Sequence, residues 1–458
     1  MEINIPSKKT MEINITSIET IKPSSPTSSE HKTYKLCLFD VFQINTYFPL
    51  IIFYHKTNDM EVFSDVSTKL KNSLAMALTI FYPLGGRRSD IFSIDCNDEG
   101  ATYMEASINM EMKEFLSPPK LESIEKLLPC EPNKTQPYNK VLPPILVQAN
   151  LFKCGGIAIG LCNLHTILDA YSCSIFLKTW SSICSGSRDK TCEPNFSIAS
   201  SIFPPRNTIG VRSGVLNINE GVEIETKCST RRFLFDNKSI NEMKEISKND
   251  GITKPTSYKV VSSFICKHMI VACMKEFCGE NKKQMVILHV VDMRRRFGGN
   301  VLQNSIGNLI WPALVVCDNV NKNTNISDMV KILEEEIGNV NEELLLKVKN
   351  DPSFLWSDEC AELMLEGMDK NPISFVFTSW GNMGFKKIDF GWGKPLWIAQ
   401  RGGTKEAIPN TVVLMETYEG IEAWVTMAEN HLDDLENNTE FIKFALFNPN
   451  INIKRSVF

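Results

Sequence analysis

Apolar and polar positions along the chain alternate between strand-like and helix-like segments, on both sides of one long polar interruption. Leu50 to His55 is a continuous apolar run, which predicts a buried strand. From Glu61 to Phe81 the spacing turns helical, with Val62, Leu70, Leu74, Ala77 and Leu78 on one stripe. Phe92–Cys96 and Thr102–Ala106 read as a strand pair around Asn97, Asp98, Glu99 and Gly100. Ile145–Phe152 and Gly156–Leu164 read as another, turning at Lys153, Cys154 and Gly155, with a helix following from Ala170 to Ser185.

Between Gly186 and Thr230 the periodicity dissolves into Ser, Pro, Asn and Gly, with Phe203-Pro204-Pro205 in the middle. Loops that long are uncommon inside a compact domain, so this one is read as a crossover between two halves. Beyond it the pattern predicts a strand at Arg232–Phe235 and helices at Ser239–Lys248 and Thr256–Phe277. Strands follow at Met285–Val291, Leu309–Val316 and Ser374–Thr378, with helices at Asp328–Leu346 and Ser357–Met368. Val412–Glu416 and Glu422–Met427 form a hairpin around Tyr418, Glu419 and Gly420, and a terminal helix runs from His431 to Leu446. The fold class is therefore α/β, with halves at 21–185 and 231–458 joined by the loop 186–230. Met1-Glu2-Ile3-Asn4-Ile5 recurs at Met11–Ile15, so residues 1–20 are expected to be a flexible extension, with translation starting at Met1 or Met11.

Composition narrows the function classes. Hydrophobic residues make up 43% of the 458 and charged residues 22%, which excludes a disordered chain, a collagen-like repeat and a coiled-coil rod. The net charge of −5 offers no global basic field, so nucleic acid and anionic membrane are excluded as main partners. A local basic pocket for one small anion is still compatible with it. Fourteen cysteines are scattered without a CxxC pair or zinc spacing, so they read as reduced core thiols and no metal site is expected. With neither a signal peptide nor a run of ~18 apolar residues, a cytoplasmic protein is expected.

Of six histidines, only His165 sits where an active-site base is expected. It follows an apolar strand and precedes a helix, which places its ring near a strand's carboxyl end. Asp169 stands four residues on, where it can cap helix amides or pair with a distant arginine. A neutral imidazole near pH 7 suits general-base work on an alcohol or amine. Alone, the HxxxD string is weak, and a core histidine beside a helix-capping aspartate explains it better. The second constellation is Asp389-Phe390-Gly391-Trp392-Gly393. Two glycines alternating with two aromatics suit a tight loop packed by its own rings, with Asp389 placed to anchor an arginine.

Together these strings resemble the plant BAHD acyltransferases, which use acyl-CoA thioesters. Further segments match in order. Ile21-Lys22-Pro23-Ser24-Ser25-Pro26-Thr27 looks like the family's opening, and Phe81-Tyr82-Pro83-Leu84-Gly85-Gly86-Arg87 is similar to its YPLAGR segment. Val291-Asp292-Met293-Arg294-Arg295-Arg296 resembles its V-N-x-R-x-R strand, and Ile306-Gly307-Asn308 and Thr378-Ser379-Trp380 fall where its GN and TSW elements belong. Within the family the chain looks most like the vinorine synthase group of alkaloid O-acetyltransferases.

The resemblance implies two chloramphenicol-acetyltransferase-like domains with the active site in the channel between them. His165 is implied as the general base, with Asp169 pointing away from substrate to pair with Arg294 and orient the histidine. Thr378 and Trp380 are implied as substrate or oxyanion neighbours, and Arg294, Asp389, Gly391, Trp392 and Gly393 as structural support. CoA phosphates need local cations or helix N-termini, for which Lys254, Ser257, Lys259 and Asn308 are candidates. The expectation is a monomer with no tightly bound cofactor, using acetyl-CoA as cosubstrate and a small-molecule acceptor, most readily an alkaloid hydroxyl. Malonyl transfer, with Arg401 as a cation for the acyl end, and terpenoid, sugar or amine acceptors stay open.

The chain also departs from the family pattern. Ala170 stands for the usual Gly, Gly85 for Ala, and Asp292 for Asn, and Phe297–Gln303 lacks the usual proline-rich run. A carboxylate at 292 can compete with Asp169 for Arg294. A hydrolase with Cys162 or Cys173 as nucleophile lacks a nucleophile elbow. A non-catalytic binding protein on the same fold has no physical need for an intact His165 and Asp169.

Overall fold

The computed structural model describes residues 11–55, 63–132, 134, 136–137, 140–187, 193–205, 228–248, 254–274, 284–317, 320, 323–356, 372–402 and 409–453. Two large mixed sheets organise the chain. The first has the order β1 (Ile13–Ile21), β6 (Ala101–Ile108), β7 (Ile145–Phe152), β8 (Ile157–Leu164), β3 (Tyr47–Tyr54) and β13 (Trp397–Ala399). Within it only β6 and β7 run parallel. The second has the order β11 (Ile310–Val316), β10 (Met285–Asp292), β12 (Ile373–Ser379), β14 (Thr411–Glu416), β15 (Gly420–Ala428), β9 (Cys228–Asp236) and β16 (Leu446–Phe447). A small sheet of β2 (Thr33–Lys35), β5 (Ser93–Asp95) and β4 (Arg87–Arg88) lies apart.

The apolar pattern explains the central strands. Every residue of β8 is buried, as expected of a strand covered on both faces. Gly160 is required in it, because an added Cβ would come within 2.0 Å of the Leu127 carbonyl oxygen. The helix Phe63–Ile80 buries Val66, Leu70, Leu74, Ala77 and Leu78, each leucine contributing about 1.5–3 kcal/mol. Val62 lies outside the described residues, as does the expected helix Ser357–Met368.

Several expectations are corrected. Residues 13–20 are not a flexible extension but most of β1, hydrogen-bonded along β6, while residues 1–10 are not described. The segments around 92–96 and 102–106 do not pair with each other: β5 joins the small sheet and β6 the large one. Asp98 (φ 59°) and Gly100 (φ 88°) turn the chain between the two. The helix expected over 328–346 is two, Ile326–Asn339 and Glu342–Asn350, because the Asn341 side chain caps Leu344 N at 3.1 Å. The terminal helix likewise divides into Glu429–Glu436 and Thr439–Phe444, where Asn438 caps Phe441 N at 3.0 Å. The crossover is not wholly irregular either, since Ile198–Ile202 is helical.

The division at residue 231 is not clean, because β13 leaves the second half and pairs with Ile51–Phe53 of β3. At its start, Trp397 donates from Nε1 to both oxygens of Glu422 on β15 (3.1 Å each). Arg232 of β9 donates from Nη1 to Glu422 Oε1 (2.7 Å), from Nε to Asn448 (3.1 Å) and from Nη2 to the Pro449 carbonyl. Burial pushes the Glu422 carboxyl up, and Arg232 and Trp397 pull it back. Among the described residues no helix is long and apolar enough to cross a membrane. Glu422→Ala leaves the Arg232 guanidinium buried without its counter-charge. The expected loss of about 3–5 kcal/mol would appear as a lower midpoint in chemical denaturation.

Candidate active site

The β8 strand delivers His165 to the seam between the sheets. Its amide donates to Thr46 O (2.9 Å), and a tight turn closes when Ile167 N donates to Leu164 O (3.1 Å). Asp169 then opens the helix Ala170–Cys184 as its N-cap, accepting Ser172 N at 2.8 Å. A buried, fixed turn thus separates the base from the capping carboxylate. The His165 ring stands edge-on to Phe48, with centroids 4.1 Å apart.

Arg294 locks this turn from the other half of the chain. It donates from Nη1 to Asp169 Oδ2 (2.8 Å) and from Nη2 to Asp169 Oδ1 (3.2 Å), a bidentate pair. Its remaining N–H groups reach Ser305 O, Gly307 O and Ser172 Oγ at 2.9–3.2 Å. Asp292 does not displace Asp169: its Oδ1 also accepts from Arg294 Nη1, at 2.9 Å, so one guanidinium serves two carboxylates. Burial pushes the Asp292 carboxyl up, against the pull of Arg294. The Asp169 oxygens go to Ser172 N, Leu309 N and Arg294 and not to the imidazole, so this acid acts on His165 through the turn.

A buried carboxylate that sequence reasoning missed completes the frame. Asp40 Oδ1 accepts both the backbone N (2.6 Å) and Nδ2 (2.9 Å) of Asn308, and its Oδ2 accepts Cys37 N (2.8 Å). Asn308 Nδ2 in turn donates to the His165 carbonyl at 2.7 Å. Burial pushes the Asp40 carboxyl up to about 6, against the lowering effect of these donors. Asn308 is therefore a buried clamp on the His165 backbone, which corrects its assignment to CoA phosphates.

The cavity beside His165 has a volume of about 330 Å³ and a mainly apolar wall that includes Phe39, Phe42, Phe48, Trp311 and Leu355. Thr378, Ser379 and Trp380 line it from the end of β12, so strands of both sheets face the same space. The Trp380 backbone amide is committed to Leu414 O (2.8 Å), so it is the side chains of Thr378 and Trp380 that face the cavity. Of the described histidines, His165 alone lines the cavity. Burial lowers its pKa from 6.5, with Asp169 and Asn308 opposing, so the ring is neutral at pH 7. Cys173 also faces the cavity, but burial pushes its thiol up to about 12. Cys162 is buried in β8 with its thiol raised as well.

Lys254, Ser257 and Lys259 do not line the cavity. Lys259 is held by Glu334 at 2.8 Å, and Tyr258 packs so closely on Gly381 that an added Cβ there would come within 2.0 Å of the ring. The segment therefore flanks the Trp380 side of the site. The Asp389–Gly393 loop lies outside the cavity wall. Asp389 Oδ1 accepts Gly391 N (2.8 Å) and Gly393 N (2.9 Å) instead of an arginine, with both glycines at positive φ (103° and 89°). Phe390 stacks edge-on against Trp180 (4.9 Å), and Trp392 against Tyr54 (5.6 Å). Arg401 is buried on Glu125 (2.5 Å) and the Pro132 carbonyl (3.0 Å) and lies outside the wall too.

A family profile described as the Transferase family matches residues 11–442. The chain belongs to the BAHD acyltransferases. It is 34% identical to akuammiline synthase 2 of Alstonia scholaris, covering 96% of this chain and 98% of that protein. Limonoid 7-O-acetyltransferase of Citrus sinensis is 32% identical (96% and 99%). Stemmadenine O-acetyltransferase of Catharanthus roseus is 30% identical (93% and 97%). The crystal structure of vinorine synthase superposes with a TM-score of 0.76 at 27% identity, covering 94% of this chain and 98% of that one. As a BAHD member the protein is an acyl-CoA-dependent O-acyltransferase acting on plant specialised metabolites. Asn308→Ala is expected to lower kcat by about tenfold or more while leaving KM for the acyl-CoA in place. A phosphate contact would instead show as a raised KM, so steady-state kinetics in both substrates checks the clamp.

Proposed function

We propose that the protein transfers an acetyl group from acetyl-CoA to a hydroxyl of an alkaloid, with His165 as general base. The observation that carries this reading is the neutral imidazole at the cavity wall, held by a turn that both halves of the chain fix. The acceptor O–H gives its proton to His165 as its oxygen attacks the thioester carbonyl. The tetrahedral oxyanion is stabilised by the Thr378 hydroxyl. Its collapse breaks the C–S bond, and the thiolate leaves with the proton from His165. Asp169 and Arg294 hold the turn and take no proton. Trp380 walls the reacting centre, and Asp389, Gly391, Trp392 and Gly393 keep β13 and its neighbours in place from outside.

Acetyl is favoured over malonyl because Arg401 is spent on Glu125 and Pro132, away from the cavity. For the CoA phosphates, exposed Lys254 and half-buried Ser257 at the helix start are the better candidates, since Lys259 is already paired. An alkaloid acceptor is supported by the names of stemmadenine O-acetyltransferase and vinorine synthase, and a limonoid-like terpenoid by the Citrus sinensis relative. In this reading the protein works as a cytoplasmic monomer. The Cys173 hydrolase reading lacks a thiolate at neutral pH.

His165→Ala is expected to cut CoA thiol release by about 10²–10⁴-fold, read with a thiol reagent and a panel of alcohols. Fast wild-type release that needs no alcohol would instead point to a hydrolase. Because the His165 pKa is lowered, its base form persists on the acid side of the usual range. The kcat/KM profile should therefore fall on acidification with a midpoint below pH 6.5 and be flat around neutrality.

A further inference from the structure

The charges on the cavity wall are unevenly displayed. Among its described residues the ionised groups are Asp169, Asp292 and Arg294, two negative and one positive, with His165 neutral. The Arg294 and Asp169 side chains are sealed at 2% and 3% exposure, whereas Asp292 is 27% exposed. The arginine has no reach left for a ligand, since its nitrogens are all committed to Asp169, Asp292, Ser172, Ser305 and Gly307. Asp292 uses Oδ1 alone, for Arg294 Nη1 and Arg294 N, and its Oδ2 has no partner among the described residues. What the cavity presents, then, is one carboxylate oxygen, its only uncommitted ionised group among the described residues, on a mainly apolar wall.

We propose that Asp292 binds the protonated amine of the acceptor and thereby selects alcohols that carry a basic nitrogen. The inference rests on the acyl-transfer reading above and narrows its acceptor. Asp292 ends β10 directly opposite Ile310 of β11, with which it shares a face of the sheet, and Trp311 lines the same cavity. Phe39, Phe42, Phe48 and Trp380 supply further rings around the same space. Aromatic faces and a carboxylate together favour an ammonium over its neutral isostere. A wholly neutral acceptor would cover the free oxygen and leave it desolvated without a partner. An anionic acyl group would meet like charge. A polycyclic amine meets neither cost. Asparagine at this position would keep the hydrogen bonds to Arg294 and lose the attraction.

The test compares quinuclidinol, protonated near neutral pH, with its all-carbon analogue bicyclooctanol, by calorimetric titration of the full chain. The wild type is expected to prefer the amine by about tenfold, and Asp292→Asn to lose most of that preference. Asp292→Glu, which keeps the charge, is expected to retain part of it. Equal binding of the two alcohols by the wild type overturns the proposal, as does a preference that Asp292→Asn leaves in place. Acetyl-CoA thiol release is measured in parallel with both alcohols and larger polycyclic ones. Its absence throughout would sink the acyl-transfer reading, while the titration still decides the role of Asp292.

Discussion

Arg294 reaches from the second half of the chain into the first turn of the helix that Asp169 caps, and the geometry of the site hangs on that reach. Burying a guanidinium costs several kcal/mol unless its donors are all used. Here Nε, Nη1 and Nη2 each have acceptors, from two carboxylates, a serine and two backbone carbonyls. Such an arrangement secures orientation more than net stability. Asp169 is committed three ways, to the amides of Ser172 and Leu309 and to the arginine, so the turn between it and His165 has little freedom.

The same logic recurs on the other side of the histidine. Asp40 gathers Asn308, and Asn308 holds the His165 carbonyl. Two buried acids thus hold the backbone around one imidazole without touching the ring, which keeps its neutral form because burial outweighs the hydrogen bonds and the field of Asp169. Strands from both sheets wall the space in front, which is how a protein of net charge −5 sets an uncharged base in an apolar cavity. Reaction geometry comes from the frame, and selectivity from what lines the space.

Much of the site is legible in the sequence because its signals are local. The apolar run of β8 and the capping aspartate are enough to place His165 at a strand-to-helix junction. The Arg294 pair is legible only through the family resemblance, since 125 residues separate its partners. Asp40 has no local signal, because its burial is set by Asn308, 268 positions away. Asn308 itself reads wrongly as a phosphate contact, as sequence does not tell a buried amide clamp from a ligand-binding one. The strand β1 reads as an extension because it is an edge strand with Ile15 and Ile18 largely exposed, so its pattern carries little burial. Three-residue β13 is too short to show a period at all. Asparagines at 341 and 438 break helices whose apolar spacing runs straight through them.

That short strand bears on how the chain is made. As synthesis proceeds, β3 emerges early, but its outer edge is covered only when Trp397–Ala399 arrives, and Phe390 and Trp392 are needed to pack against Tyr54. At ribosomal rates the intervening stretch takes roughly 20–70 s to appear. For that interval the nascent first half exposes an apolar strand edge that invites intermolecular pairing. A fragment that ends before Trp397 therefore leaves the Ile51–Phe53 edge of β3 bare, and is expected to self-associate where the full chain does not.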